Sequence, residues 1–341
     1  MKLPEQIFQF SLSQFGIGRN TIVADAVSGV TFAVVNIPQG MANALLASVN
    51  PVLGLYTLMV ATPVAALFTS SVYMNVSTTS ALSVAAGDVL LNVPGPAKAA
   101  NLVVLVLLVG IVQLLAGLFR MGSLLRFVSR SVMVGFISGV AALIVLGQID
   151  DFTGYDSAFN SKPLRLADLA LNFGQVHWPT LILSIFTMLV IIGVGYTRLS
   201  KIAMLVGLLA GTLLAYLLQP EGIAYVGDIA AIPDQLLSLT LPDFWLAPNM
   251  LASAVAIAII GLVQGAGVSQ NYPNPDGRYP DVSRDFLGQG ISNIAASFFQ
   301  GIPAVHSPDD FDELSIAAAR AIRAGLQGVD DHAVGYLEHG A

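Results

Sequence analysis

Long apolar stretches run through this chain with no charged position inside them, and their lengths set the elements. Between Asp25 and Asp88 there are 62 residues without Asp, Glu, Lys or Arg, and Ala99 to Phe119 adds 21 more. At about 1.5 Å rise per residue, a helix of that second length crosses a hydrocarbon core of about 30 Å. Further uncharged stretches at 131–149, 169–197, 202–220, 244–275 and 286–308 repeat the pattern. It predicts nine spans, at 22–46, 53–70, 77–92, 99–119, 131–149, 178–197, 201–218, 249–268 and 284–301, and hence an all-α polytopic membrane protein. The second, third and ninth are short or polar and need cover from neighbours.

Two spans are interrupted in ways that point to function. Asn36-Ile37-Pro38-Gln39-Gly40 lies within the first, where proline removes a backbone hydrogen bond and glycine weakens the next turn. Backbone groups freed at membrane depth must face protein or a water-filled cavity. The third opens with Asn75-Val76-Ser77-Thr78-Thr79-Ser80, rich in helix-capping residues, which predicts a helix that begins inside the membrane. Such a start aims N–H groups and a partial positive charge at whatever sits there.

Composition narrows the class. Of 341 residues, 55% are hydrophobic and 10% charged, against roughly a quarter charged in soluble domains, so a water-soluble globule is excluded. The absence of cysteine excludes disulfides, zinc thiolate sites, iron–sulfur clusters and a thiol nucleophile. No basic footprint for nucleic acid exists. Residues 1–20 read as an amphipathic interfacial segment, lacking the basic region and cleavage site of a signal peptide. With the N-terminus in the cytoplasm, nine basic residues, among them Arg120, Arg126, Arg130, Arg278 and Arg284, fall inside against Lys98, Lys162 and Arg165 outside. That obeys the positive-inside rule and predicts a plasma (inner) membrane protein with a cytoplasmic N-terminus. Arg120, Arg126 and Arg130 then meet anionic lipid. Residues 305–341 hold 7 of the 21 acids and three of the four histidines, with no further spanning run.

One set of motifs resembles a known family. Ile37-Pro38-Gln39-Gly40-Met41-Ala42-Asn43-Ala44-Leu45-Leu46-Ala47, then Pro51-Val52-Leu53-Gly54-Leu55-Tyr56, Val76-Ser77-Thr78-Thr79-Ser80 and Arg284-Asp285-Phe286-Leu287-Gly288-Gln289-Gly290-Ile291-Ser292-Asn293-Ile294 are similar to the SulP anion transporters, the sulfate permease and sulfate/bicarbonate carrier superfamily. The resemblance runs from about residue 15 to residue 304. It implies two inverted seven-span repeats divided into core and gate domains, with an anion held near the midplane between the starts of spans 3 and 10 and beside spans 1 and 8. On this chain it implies core spans 1–4 at 21–119, gate spans 5–7 at 120–220, an extracytoplasmic loop at 221–248 and core spans 8–9 at 249–304. The second repeat is then incomplete, and 305–341 reads as a divergent acidic tail of a truncated or frame-shifted product.

The resemblance gives the candidate site residues their meaning. Gln39 offers an amide donor to an oxyanion, or else repairs backbone bonds near Pro38. Asn43 lies one turn further on the same face, although many relatives carry an aromatic residue there. Thr78, Thr79 and Ser80 line the anion pocket or serve only as a cap cluster. Gln264 stands where relatives often carry an acid linked to proton or cation coupling; its amide cannot titrate, leaving site lining or an interhelical hydrogen bond. Asp285 is expected to cap or stabilise the start of span 9. The implied function is secondary active transport of a small inorganic anion, sulfate first and bicarbonate second, by alternating access. The rival reading is a membrane fragment that does not transport. No cofactor or metal is expected, nothing resembles a hydrolase triad, Walker loop or dinucleotide fingerprint that would make it an enzyme, and the partners are the anion, membrane lipid and, if the family's habit extends to this chain, a second copy.

Overall fold

The computed structural model describes residues 36–71, 75–91, 93–123, 145–155, 162–197, 203–218, 237–271 and 277–307, with a few isolated positions between them. The predicted segment 1–20, most of the span at 131–149, the loop at 219–236 and the tail beyond Ser307 lie outside these residues.

Helix α1 is described over 36–46 and is unbroken through Pro38 and Gly40. The hydrogen bond that Pro38 removes points back towards residue 34, so the interruption expected around Gln39 does not fall in the described part. Helix α2, Pro51–Phe68, starts where Asn50 accepts from the Val52 amide at 3.0 Å and Pro51 fills the first turn, a position where a missing N–H costs nothing.

After α2 the chain turns back and runs extended as β1, Asn75–Thr78, before helix α3, Ser80–Leu90. At about 1.5 Å per residue the eleven residues of α3 reach only about half-way across a membrane. The sequence predicts a single polar-headed span at 77–92; the structure divides it into a strand and a half-length helix. Helix α4, Gly95–Leu118, is the central post, with Leu102, Val103, Leu105, Val106 and Val109 fully buried.

The segment that follows residue 148 carries two short helices, α5 at Ile149–Thr153 and α6 at Lys162–Leu171. Arg165 pairs with Asp150 at 2.9 Å and ties them together. Helices α7, Trp178–Gly195, and α8, Ala203–Leu218, pack chiefly on each other. No residue of α7 is buried, as suits a helix that meets lipid or another protein surface.

Helix α9, Ala247–Asn271, and helix α10, Val282–Ser297, return to the first body and pack on α4 and α2. Asp281 caps α10, accepting from the Ser283 amide at 2.9 Å and the Arg284 amide at 3.4 Å. The chain then runs extended as β2, Ala304–Ser307, antiparallel to β1 with Asn75 opposite Ser307 and Thr78 opposite Ala304. The boundary placed between Ala304 and Val305 therefore falls inside an element. Strand pairing uses backbone groups, so it does not depend on which side chains follow Ala304.

Candidate functional site

A two-stranded ribbon within a membrane leaves backbone groups on its outer edges that must be satisfied by protein. Side chains do so here. Thr62 Oγ1 donates to Val76 O at 2.8 Å, and Asn43 Nδ2 donates to Thr78 O at 2.9 Å. On β2 and the turn before it, the Ile302 amide donates to Thr57 Oγ1 at 2.7 Å and the Ala304 amide to Asn293 Oδ1 at 2.8 Å. The ribbon is thus gripped by α1, α2 and α10.

The β1 to α3 junction is the product of that grip. Thr79 occupies the N-cap position of α3 with extended backbone, yet its side chain makes no capping bond and its hydroxyl is buried without a partner among the described residues. The first turn of α3 carries no acid. Its N–H groups and the positive end of its dipole are therefore not neutralised by the local chain.

Three of the predicted residues meet here. Asn43 Nδ2 also donates to Thr78 Oγ1 at 3.0 Å, and Ser80 Oγ donates to Asn43 Oδ1 at 3.1 Å. Asn43 has only two amide hydrogens, and Thr78 takes both, so in this arrangement Asn43 shapes the junction. Gln39 is half-buried one turn earlier on α1 and has a partner of its own. Gln264 lies on α9, which packs on α3 and β2, and its amide oxygen is buried without a partner among the described residues. The hydrogen bonds described for the Asn43 cluster do not include Gln264. Among the described residues no three His, Asp or Glu side chains converge as metal ligands would.

Beside the ribbon lies a polar cluster of which the sequence singled out Asp285 but not its partners. Asp285 is 1% exposed and does not cap α10, a role taken by Asp281. It accepts instead from Thr69 Oγ1 at 3.0 Å, the Ser70 amide and hydroxyl each at 2.8 Å, and Ser269 Oγ at 3.0 Å. Fully buried His306 on β2 lies 3.3 Å from Thr69 Oγ1 through Nε2 and 3.2 Å from Gln289 Oε1 through Nδ1. The glycine face of α9 makes the room: a Cβ on Gly261 would come within 2.9 Å of Gln113 Nε2, and one on Gly265 within 3.0 Å of Gln289 Oε1. A lone acid followed by 23 uncharged residues was the available signal for Asp285; His306 had none, because a four-residue strand shows no readable period.

Comparison with known proteins agrees with this architecture. The profile described as the sulfate permease family matches residues 22–308, which takes in both strands. The chain belongs to that family. It is 29% identical over 318 residues to sulfate transporter 4.1, chloroplastic, of Arabidopsis thaliana, covering 89% of this chain and 46% of that protein. It is also 29% identical to the putative sulfate transporter YvdB of Bacillus subtilis, covering 82% of this chain and 53% of that one. The chain spans about half the length of the relatives it matches. Among solved structures, the transmembrane domain of the cyanobacterial bicarbonate transporter BicA superposes with a TM-score of 0.69 at 21% identity, over 91% of this chain and 81% of that one. The murine anion transporter Slc26a9 in its inward-facing state gives 0.74 at 17% identity, over 92% and 57%. The fold is that of these transmembrane domains, in a multi-pass membrane protein of a transporter family.

Proposed function

We propose that this chain carries the first-repeat half of a small-oxyanion site and serves secondary active transport of sulfate, with bicarbonate as the alternative cargo. The observation that supports it most is the α3 start: an uncapped helix terminus held within the membrane, next to hydroxyls and amides and with no fixed positive side chain. A helix N-terminus attracts an oxyanion through N–H groups and dipole together. Neutral donors let the anion leave again, which a full ionic partner would hinder. Gln264 cannot exchange a proton, so coupling at that position is not part of the proposal.

The core would comprise residues 21–119 and 249–304, and the gate 120–220. The close packing of α2, α4, α9, α10 and the ribbon, set against an α7 and α8 pair that packs mainly on itself, supports that division. Alternating access would then be a movement of one body against the other in the plasma (inner) membrane, with lipid around both and a second copy as a further partner. The test is radiolabelled sulfate uptake by vesicles reconstituted with the purified protein, with unlabelled sulfate and bicarbonate as competitors. Saturable uptake competed by sulfate supports the reading. Uptake no greater than in empty vesicles sinks it for this chain and favours the non-transporting alternative.

A further inference from the structure

Polar side chains meet the two edges of the ribbon at a single register position. On the β1 side, Ser80 donates to Asn43, and Asn43 donates to both the carbonyl and the hydroxyl of Thr78. Thr78 stands opposite Ala304 in the ladder. On the far side Asn293 completes Ala304, receiving its amide at 2.8 Å and donating to its carbonyl at 2.7 Å. The same Nδ2 donates to Gln113 Oε1 at 2.7 Å. These groups lie on six elements: α3, α1, β1, β2, α10 and α4.

The chemistry of Asn293 fits this place closely. A primary amide is a neutral group that can pair with both the N–H and the C=O of one residue, as a neighbouring strand would. It therefore closes the open edge of β2 at the position where the other edge meets Thr78, in a region where an unpaired edge has no water to turn to. Both Asn293 and Gln113 are fully buried. Neither lies on α1, β1 or α3, where the predicted anion ligands cluster.

We propose that Asn293 and Gln113 are positioning residues of the candidate site. They fix the register and depth of β2, through it β1, and so the orientation of the uncapped α3 start, without touching the anion. The functional meaning rests on the proposed anion reading; the mechanical claim does not.

Hydrogen exchange of the full chain in lipid nanodiscs, read by mass spectrometry on peptides covering 75–80, 302–307 and 178–195, tests both. Asn293→Leu should speed exchange at least tenfold in both strand peptides and leave 178–195 unchanged, whereas general destabilisation would accelerate all three. Ser292→Ala removes an equally buried hydroxyl that bonds only within α10, and should change neither strand. If Asn293→Leu does not fold, Gln113→Leu serves in its place, with an expected several-fold rise confined to the two strands.

Unchanged exchange at 75–80 in Asn293→Leu overturns the proposal. Added sulfate supplies the second readout. It should protect 75–80 in the unsubstituted chain, and Asn293→Leu should need at least fivefold more sulfate for the same protection. Strand coupling without any sulfate protection in the unsubstituted chain would uphold the positioning role and reject the anion reading.

Discussion

At the scale of single residues, the buried polar groups of this protein divide by what they can donate. The Asp285 side chain accepts from four donors in two segments, so it joins the α2 to β1 link and the end of α9 to the start of α10. Asp285→Asn keeps one oxygen for the Thr69 and Ser70 donors and puts an NH2 group in place of the oxygen that accepts from Ser269 Oγ. The expected cost is about 2–3 kcal/mol, the range for lost hydrogen bonds to a charged group plus unsatisfied partners, seen as a lower thermal midpoint in detergent. At the α3 start the logic reverses, because an anion needs donors. Gln39→Leu or Thr79→Leu should weaken sulfate binding by about 1–3 kcal/mol while membrane insertion is unchanged, checked by equilibrium binding on purified protein. Unchanged affinity in both variants would remove these residues from the site. The sequence named Gln39, Asn43, Thr78, Thr79, Ser80 and Gln264 from motif and polarity; which of them engage each other required the turn between strand and helix, because Asn43 and Thr78 stand 35 positions apart.

Helices and strands respond to different features of the chain. Helix α4 lies against α10 where two glycines meet: a Cβ on Gly110 would come within 2.7 Å of the Ile294 amide, and one on Gly290 would strike the backbone of Leu114. Small residues allow helices to approach this closely in a membrane, where dispersion contacts must hold them together. Gly290→Val should therefore destabilise by about 1–3 kcal/mol through overpacking. By contrast, Gly193 on α7 has nothing within 4 Å of the added carbon, and Gly193→Ala should be neutral or stabilising by up to about 1 kcal/mol from helix propensity. Thermal unfolding of the two variants side by side measures the contrast. Long apolar runs made α2, α4, α7, α8 and α9 legible as spans. The ribbon was not legible, since Asn75-Val76-Ser77-Thr78 and Ala304-Val305-His306-Ser307 are too short to establish an alternation and their pairing joins positions more than 220 residues apart. The same distance hides from local reading that the backbone pairing continues across Ala304 and Val305.

For the whole molecule, the helices sort the chain into two ends, and charge assigns each end a side. Arg284 Nε donates to Phe68 O at 3.1 Å, and a Cβ on Gly122 would come within 2.7 Å of the Ser283 amide, so the 68–70, 120–123 and 277–284 segments share one end. Lys98 Nζ donates to Ser48 O at 3.3 Å, and Gln300 Nε2 to Thr240 Oγ1 at 2.6 Å, which places 46–50, 95–98, 237–246 and 298–300 at the other. Arg120, Arg278 and Arg284 fall at the first end and Lys98 at the second. Basic residues are retained on the cytoplasmic side during insertion, so the first end should face the cytoplasm. The order of spans then puts the 150–177 loop outside with 237–246. Because the chain has no cysteine, single introduced thiols report this without background. Ser123 and Ser238 are both exposed, and Gly174 has open space for a side chain, so failure to react at any of them reports the membrane barrier and not burial. A membrane-impermeant maleimide applied to intact cells should label Ser238→Cys and Gly174→Cys at once, and Ser123→Cys only after permeabilisation. Labelling of Ser123→Cys alone in intact cells would invert the protein and place the α3 start on a half-helix that opens from the opposite side.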